Sequence, residues 1–344
     1  MIVHGGRAIE WQRKSGRTCL DFSASLNPWG PPREVKEKWE ELFYYATVYP
    51  PLDYSFYRKE LANIYNLSPS FILPTNGATA GIYLLAWELP GETVLILEPC
   101  FSEYARSFSR AGKRVERVFF PASSFSLPPA DIVVWGNPTN PWGVSPPPFL
   151  LDYLWEMSLK KGTILLVDEA FQEFLEEKSS WVFRLPENPR LYIIRSLTKY
   201  FTLPGLRGGF IAAHPSSCSF LERYLEPWSI NSLLARVLEI IAQGDLASFR
   251  ATTQENLVRE KRFLEENLEG GIMKFFPSQV NFYTLQLKRG KEFFSSFLEE
   301  RGILVRSLSD FFGLDDSYFR LAVRTHEENE QIVEVVREFA RILG

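Results

Sequence analysis

At 344 residues, 45% hydrophobic and 23% charged, the chain is long enough for a full core and for two domains. A formal net charge of −4 without a run of like charges argues against nucleic acid as a partner, and three separated cysteines with three histidines offer neither a disulfide framework nor a metal site. The amino terminus lacks the apolar core of a signal peptide and no apolar stretch is long enough to span a bilayer, so a soluble cytoplasmic protein without membrane contact is expected.

Short apolar runs alternating with helical patterns predict a wound α/β layer. In chain order, the reading gives a helix over 78–88, a strand over 93–98, a helix over 101–111, a strand over 130–136 and a helix over 147–161. Strands at 162–170 and 190–196, a helix over 199–205 and a strand at 208–213 follow. Several of these strands are apolar on consecutive residues, as expected when both faces are covered. From residue 218 the period becomes helical, over 218–243 and 245–268, before a small α+β unit that ends in a helix at 326–343. The domain reading is an amino-terminal arm (1–30) joining the small domain, a large domain (31–225) and a small carboxyl-terminal domain (226–344).

The chemistry gathers in short motifs. GTILLVDEAF (162–171) ends a buried strand in Asp168 and Glu169. A nucleoside triphosphatase would need a GxxxxGK[ST] loop, yet Gly112-Lys113 and Gly290-Lys291 are followed by Arg114 and Glu292; GxGxxG is also absent. Asp168 could instead hold a cationic ring nitrogen at the sheet's carboxyl edge, where open α/β sheets bind ligands. LPTNGATAGIYLLAWEL (73–89) opens a helix whose free N–H groups suit a phosphate. WGNPTNPWGV (135–144) places Asn140 in a tight turn after a strand, and SLTKYFTLPGLRGGF (196–210) sets Lys199 three residues after Ser196 and eight before Arg207. Each motif alone has a plainer explanation: a helix cap, a loop break, a turn, a solvated lysine.

Together, in the order Asn-Gly-x-x, Pro-x-Phe-x-x-Tyr, Asn-Pro-x-Gly, Asp-Glu-Ala, Ser-x-x-Lys and Arg, they resemble the fold type I enzymes that use pyridoxal 5′-phosphate, in the class I/II aminotransferase group, over nearly the whole chain. The resemblance implies a large domain with a mostly parallel wound sheet beside a smaller α+β domain. It implies that Lys199 holds the cofactor covalently and moves protons at carbon, and that Asp168 pairs with the protonated pyridine nitrogen. Ser196, Arg207 and the backbone at Gly77, Ala78 and Thr79 are then phosphate ligands, Asn140 meets the ring hydroxyl, and Phe101 stacks on the ring. Tyr49, in VYPP, resembles a tyrosine that reaches the neighbouring subunit's cofactor, which implies a homodimer. Many relatives carry tyrosine where this chain has Phe171, so the resemblance leaves Asn140 as the partner of the ring hydroxyl.

RGILVRS (301–307) and YFRLAVRT (318–325) supply Arg306 and Arg320, which resemble the anchors of a substrate phosphate and of the α-carboxylate in histidinol-phosphate aminotransferases and their kin. VHGGRAIEWQRKSG (3–16) and LDFSASLNPWGPP (20–32) resemble the threonine-phosphate decarboxylases of cobamide biosynthesis, with His4 and Asn27 expected at the substrate end of the site. Arg7 stands where an asparagine is usual, either adding charge near the anion site or forming a salt bridge. The resemblance implies decarboxylation of L-threonine O-3-phosphate to (R)-1-amino-2-propanol O-phosphate, with a histidinol-phosphate-type aminotransferase as the alternative.

Overall fold

The structure, a computed structural model, describes residues 4–119, 127–175 and 179–344. Strand β1 (Leu20–Asp21) lies near the amino terminus. It is followed by β2 (Ile72–Thr75), β3 (Thr93–Glu98), β4 (Arg114–Phe119), β5 (Ile132–Gly136), β6 (Ile164–Asp168), β7 (Leu191–Ser196) and β8 (Gly209–Ala213). These last seven form one sheet in the order β2-β8-β7-β6-β5-β3-β4, in which only β8 runs against its neighbours.

β5, β6 and β8 are buried at every residue, which is why they read as unbroken apolar runs. Successive side chains feed opposite layers. Ile132 and Val134 of β5 pack with Ile82, Leu85 and Phe108 on one face, whereas Val133 and Trp135 pack with Leu154, Trp181 and Phe210 on the other. Burying each such aliphatic side chain contributes roughly 1.5–3 kcal/mol. β4 escapes the sequence reading because it is an edge strand: RVERVF alternates charge with apolar residues, which also blocks further pairing.

Two helical expectations need correction. The helix expected over 199–205 is one turn, Leu197–Tyr200, with Ser196 Oγ accepting from the Thr198 N–H; Pro204 then opens a separate 3₁₀ turn, Pro204–Leu206. The single segment expected over 218–243 is two helices, Pro215–Glu222 and Ser232–Gln243, interrupted around Pro227, and the second is capped by Asn231 Oδ1 accepting from the Leu234 N–H at 2.8 Å.

After the long helix Leu246–Leu268, strands β9 (Met273–Phe275), β10 (Phe282–Leu287), β11 (Ile303–Leu304), β12 (Arg306–Ser307) and β13 (Tyr318–Ala322) precede the last helix, His326–Ile342. Four of them make an antiparallel sheet, β12-β13-β10-β9, while β11 pairs in parallel with β1. The amino-terminal segment is also tied inward by Ala322 N–H donating to Phe22 O and Asn27 N–H donating to Lys199 O, at 3.0 and 2.9 Å. Among the described residues no helix is long and apolar enough to cross a membrane.

Candidate active site

The carboxyl ends of β5, β6 and β7 open into a cleft of about 720 Å³, walled by the amino-terminal segment, the helix beginning at Ala78 and the β12–β13 pair. Lys199 follows β7 and points its amine into this cleft, within 3.4 Å of Thr198 Oγ1. Loss of solvent contact, with added repulsion from Arg320 and Arg207, lowers its pKa to about 8 against the opposing pull of Asp168. An amine so tuned is partly neutral near physiological pH, as a nucleophile must be.

Asp168 ends β6. Its carboxylate accepts from Tyr104 Oη at 2.6 Å and from the Ala170 N–H at 2.8 Å. Burial pushes its pKa up, and those two donors together with the Lys199 charge restrain the rise. Tyr104 closes the Pro-x-Phe-x-x-Tyr motif, but the sequence assigned it no role; its place in the cleft lining beside Phe101 and its bond to Asp168 supply one. Phe101 lines the cleft, edge-on to Tyr104 at 5.8 Å.

Gly77 caps the helix Ala78–Glu88, whose first residues, Ala78 and Thr79, line the cleft, and a helix start of this kind suits a phosphate. Gly77 has φ 84°, and a Cβ there would lie 2.8 Å from Arg207 Nη2, so glycine is required for the arginine to lie over the helix start. Gly209 plays the matching part from β8, where a Cβ would approach the Ala78 nitrogen to 2.5 Å. Ser196 Oγ lies 2.8 Å from Thr198 Oγ1 beside them.

On the opposite wall, Arg306 and Arg320 are direct cross-strand partners on β12 and β13. Arg320 donates through Nη1 to Asn140 Oδ1 at 2.7 Å and through Nη2 to Ser23 O at 3.1 Å, and burial plus the Arg306 charge lower its pKa to about 10. Arg306 donates to Asp310 Oδ2 at 2.8 Å and to Ser307 O. His4 Nε2 contacts Glu103 Oε1 at 3.1 Å, and its ring lies 5.7 Å from Phe101. Phe171 brings no hydroxyl; its ring packs on Phe282 at 5.0 Å, 6.0 Å from Lys199 Nζ.

Asn27 is a correction. It is fully buried outside the cleft lining, donating to Tyr200 O and Thr253 Oγ1 at 3.0 and 3.2 Å and accepting from the Trp29 N–H at 3.1 Å. All its polar atoms are occupied in fastening the amino-terminal segment beneath the Lys199 turn. Ser23, Ala24, Ser25 and Leu26 reach the cleft instead. Tyr49 is 81% exposed, its ring tilted against Trp228 at 5.0 Å, and it is not among the residues lining its own chain's cleft. Arg7 pairs with Glu10 at 3.1 Å and Arg324 with Glu328 at 2.7 Å, both apart from the cleft lining.

The donor set fits pyridoxal 5′-phosphate: a cleft amine of lowered pKa, a buried carboxylate for a ring nitrogen, an aromatic wall, and a glycine-cleared helix start under an arginine for the phosphate. Known proteins agree. Over 349 residues the chain is 30% identical to the threonine-phosphate decarboxylase of Salmonella typhimurium, covering 97% of this chain and 96% of that one. The structure of histidinol-phosphate aminotransferase from Clostridium acetobutylicum superposes with a TM-score of 0.84 at 25% identity, over 94% of this chain and 99% of that one. That of L-threonine-O-3-phosphate decarboxylase from Porphyromonas gingivalis gives 0.79 at 25% identity, over 92% and 99%. The sequence model described as "Aminotransferase class I and II" matches residues 17–336, and the chain belongs to this family of fold type I enzymes, with pyridoxal 5′-phosphate as its cofactor.

Proposed function

We propose that the protein decarboxylates L-threonine O-3-phosphate to (R)-1-amino-2-propanol O-phosphate, a step in cobalamin synthesis. The observation that carries this reading is the cross-strand pair Arg306 and Arg320, two buried guanidinium groups on one wall of the cleft. Two fixed cations suit a substrate with two anionic groups, and a phosphorylated amino acid brings both a carboxylate and a phosphate. The 30% identity to a threonine-phosphate decarboxylase over nearly the full chain supports the same choice.

In this reading Arg320, oriented by Asn140 and Ser23, anchors the α-carboxylate, Arg306 anchors the phosphate, and His4 closes the substrate end. When bound, the cofactor supplies an electron sink for a bond broken at the substrate's α-carbon. Lys199 holds the cofactor and delivers the proton to that carbon, and Asp168 keeps the ring nitrogen protonated. Gly77, Ala78, Thr79, Ser196 and Arg207 bind the cofactor phosphate, Asn140 meets the ring hydroxyl and Phe101 covers the ring. By fixing the carboxylate, Arg320 would set which of the substrate's α-carbon bonds is presented to the cofactor, and presenting the bond to the carboxylate would select decarboxylation.

The enzyme works in the cytoplasm as a homodimer, with Tyr49 completing the partner's site. The large exposed side chains Trp39, Phe43, Tyr44, Tyr49 and Leu52, close together in sequence, support this assembly. Within each subunit an arm (1–30) joins a small domain (226–344) through β1–β11 pairing, against a large cofactor-binding domain (31–225).

The test is incubation of the cofactor-loaded protein with L-threonine O-3-phosphate and no keto acid, followed by mass spectrometry. Carbon dioxide and aminopropanol phosphate should accumulate over many turnovers. The likeness to a histidinol-phosphate aminotransferase favours a second reading, transamination of a phosphorylated amino acid. Turnover only with histidinol phosphate and 2-oxoglutarate would establish that one instead.

A further inference from the structure

The two arginine anchors differ in their partners. Among the described residues Arg320 donates to neutral acceptors, Asn140 Oδ1 and Ser23 O. Arg306 is already neutralised: its Nη2 donates to the Asp310 carboxylate at 2.8 Å and its Nη1 to Ser307 O, so both terminal nitrogens of the fork are engaged. Its side chain is 7% exposed and that of Asp310 is 27% exposed, so this pair is better shielded from solvent than a surface ion pair.

Asp310 also belongs to a loop that forms the cleft wall. The next residue, Phe311, lines the cleft with its ring 5.3 Å from the Arg306 guanidinium. Phe312 lies 4.5 Å beneath the Arg117 guanidinium, and Gly313 lies so close to Phe119 that a Cβ would come within 2.6 Å of its ring. The downstream half of the loop is thus pinned to the edge strand β4, while Asp310 and Phe311 are presented to the anchor.

Resting on the reading of Arg306 as the phosphate anchor, we propose that Asp310 is an internal competitor that sets how tightly the cleft holds phosphate. Each terminal nitrogen keeps a second N–H, but a phosphate bound there faces the Asp310 carboxylate, so it takes the guanidinium's charge in full only as Asp310 gives up its place. The exchange subtracts the same amount from every phosphate ligand, so free phosphate, held at one end only, binds weakly. A ligand that also engages Arg320 makes up the difference through its second contact. The consequence for turnover lies in release. Decarboxylation removes the carboxylate that Arg320 holds and leaves the phosphate, so a product held at Arg306 alone departs as Asp310 returns to the guanidinium.

The test is calorimetric titration of the cofactor-loaded protein with inorganic phosphate, for the wild type, Asp310→Asn, Asp310→Ala and Arg306→Ala, together with steady-state kinetics on L-threonine O-3-phosphate. Asp310→Asn keeps the shape and an acceptor but removes the charge, and should tighten phosphate binding by about tenfold, the scale of one charge-assisted hydrogen bond. Asp310→Ala should move it in the same direction. In both variants KM should fall and kcat should fall with it, as product leaves more slowly. If Arg306→Ala weakens phosphate binding while both Asp310 variants leave it unchanged or weaken it, Asp310 merely orients Arg306 and the proposal fails with the anchor reading intact. Phosphate binding that is indifferent to Arg306→Ala, or absent from all four proteins, removes the anchor reading and the proposal together.

Discussion

Tyr104 donates its phenolic hydrogen to Asp168 Oδ2 at 2.6 Å, with both side chains buried. Burial and the neighbouring carboxylate push the phenol far above its ordinary range, so it stays a donor at every working pH. Its bond counters the burial that would otherwise protonate Asp168. Tyr104→Phe should therefore raise the Asp168 pKa further and weaken cofactor binding by about 10- to 100-fold, the range for losing a hydrogen bond to a charged group. Equilibrium dialysis against pyridoxal 5′-phosphate measures the loss, and the affinity should recover as pH rises. A pH-independent loss would mean that the phenol only fills space.

Lys199 carries a pH signature in the cofactor-free protein. Its folded pKa of about 8 lies below the ordinary 10.5, so between those values the unfolded chain binds a proton that the folded chain does not. Stability should therefore rise with pH from about 8 to about 10.5, by up to ~3 kcal/mol, whereas below about 8 both states are protonated and the full cost of burying the ammonium is carried. Lys261, whose pKa burial also lowers to about 8, adds a similar slope, so the comparison must be with Lys199→Ala. Urea midpoints measured across this window should converge toward high pH. Parallel curves for the two proteins would show that Lys199 is not the titrating group.

Much of this arrangement was legible in the chain because buried parallel strands advertise themselves. β3, β5, β6, β7 and β8 are near-continuous apolar runs, and the motifs that end β5, β6 and β7 converge because those strands share one edge. What stayed hidden depended on partners far away in sequence. β2 is only four residues and contains Pro74, and it is defined by pairing with β8 more than a hundred residues later. Asn27 has the composition of a site residue, but whether its amide faces the cleft or the core is decided by Tyr200 and Thr253. Asp310 is the exception, only four residues after Arg306, but it lies in a turn, where that spacing does not by itself bring two side chains together.

The exposed Tyr49 yields a prediction about shared sites. If Tyr49 of one subunit serves the Lys199 of the other, Tyr49→Ala and Lys199→Ala proteins are each inactive or nearly so, yet a dimer with one subunit of each kind holds one complete site. Random mixing after mild denaturation should restore about a quarter of wild-type activity, since about half of the dimers are hybrids with one of two sites intact. Activity no higher than the sum of the separate proteins would show that Tyr49 does not act across the interface.

Behind the site, Glu169 and Arg195 form an ion pair at 2.8 Å, 0% and 6% exposed. They directly follow Asp168 and precede Ser196, and alternation along a strand turns them to the opposite face of the sheet from those cleft residues. Glu169 also accepts from Ser180 Oγ and the Trp181 N–H, while Arg195 reaches Glu173, which Tyr65 holds at 2.7 Å. The pair thus fixes the register at which β6 and β7 present Asp168 and Ser196. Glu169→Gln should destabilise the cofactor-free protein by about 3–5 kcal/mol, because it leaves the Arg195 charge undercompensated in a dry site. The triple substitution Glu169→Gln, Glu173→Gln and Arg195→Met should recover most of that loss, since Glu173 is the other carboxylate paired with Arg195 and no buried charge then lacks its partner. Urea unfolding of the single and triple variants measures both terms. Recovered stability with cofactor affinity still weakened would separate the pair's part in aligning the two strands from its part in stability, whereas full recovery of both would confine it to the latter.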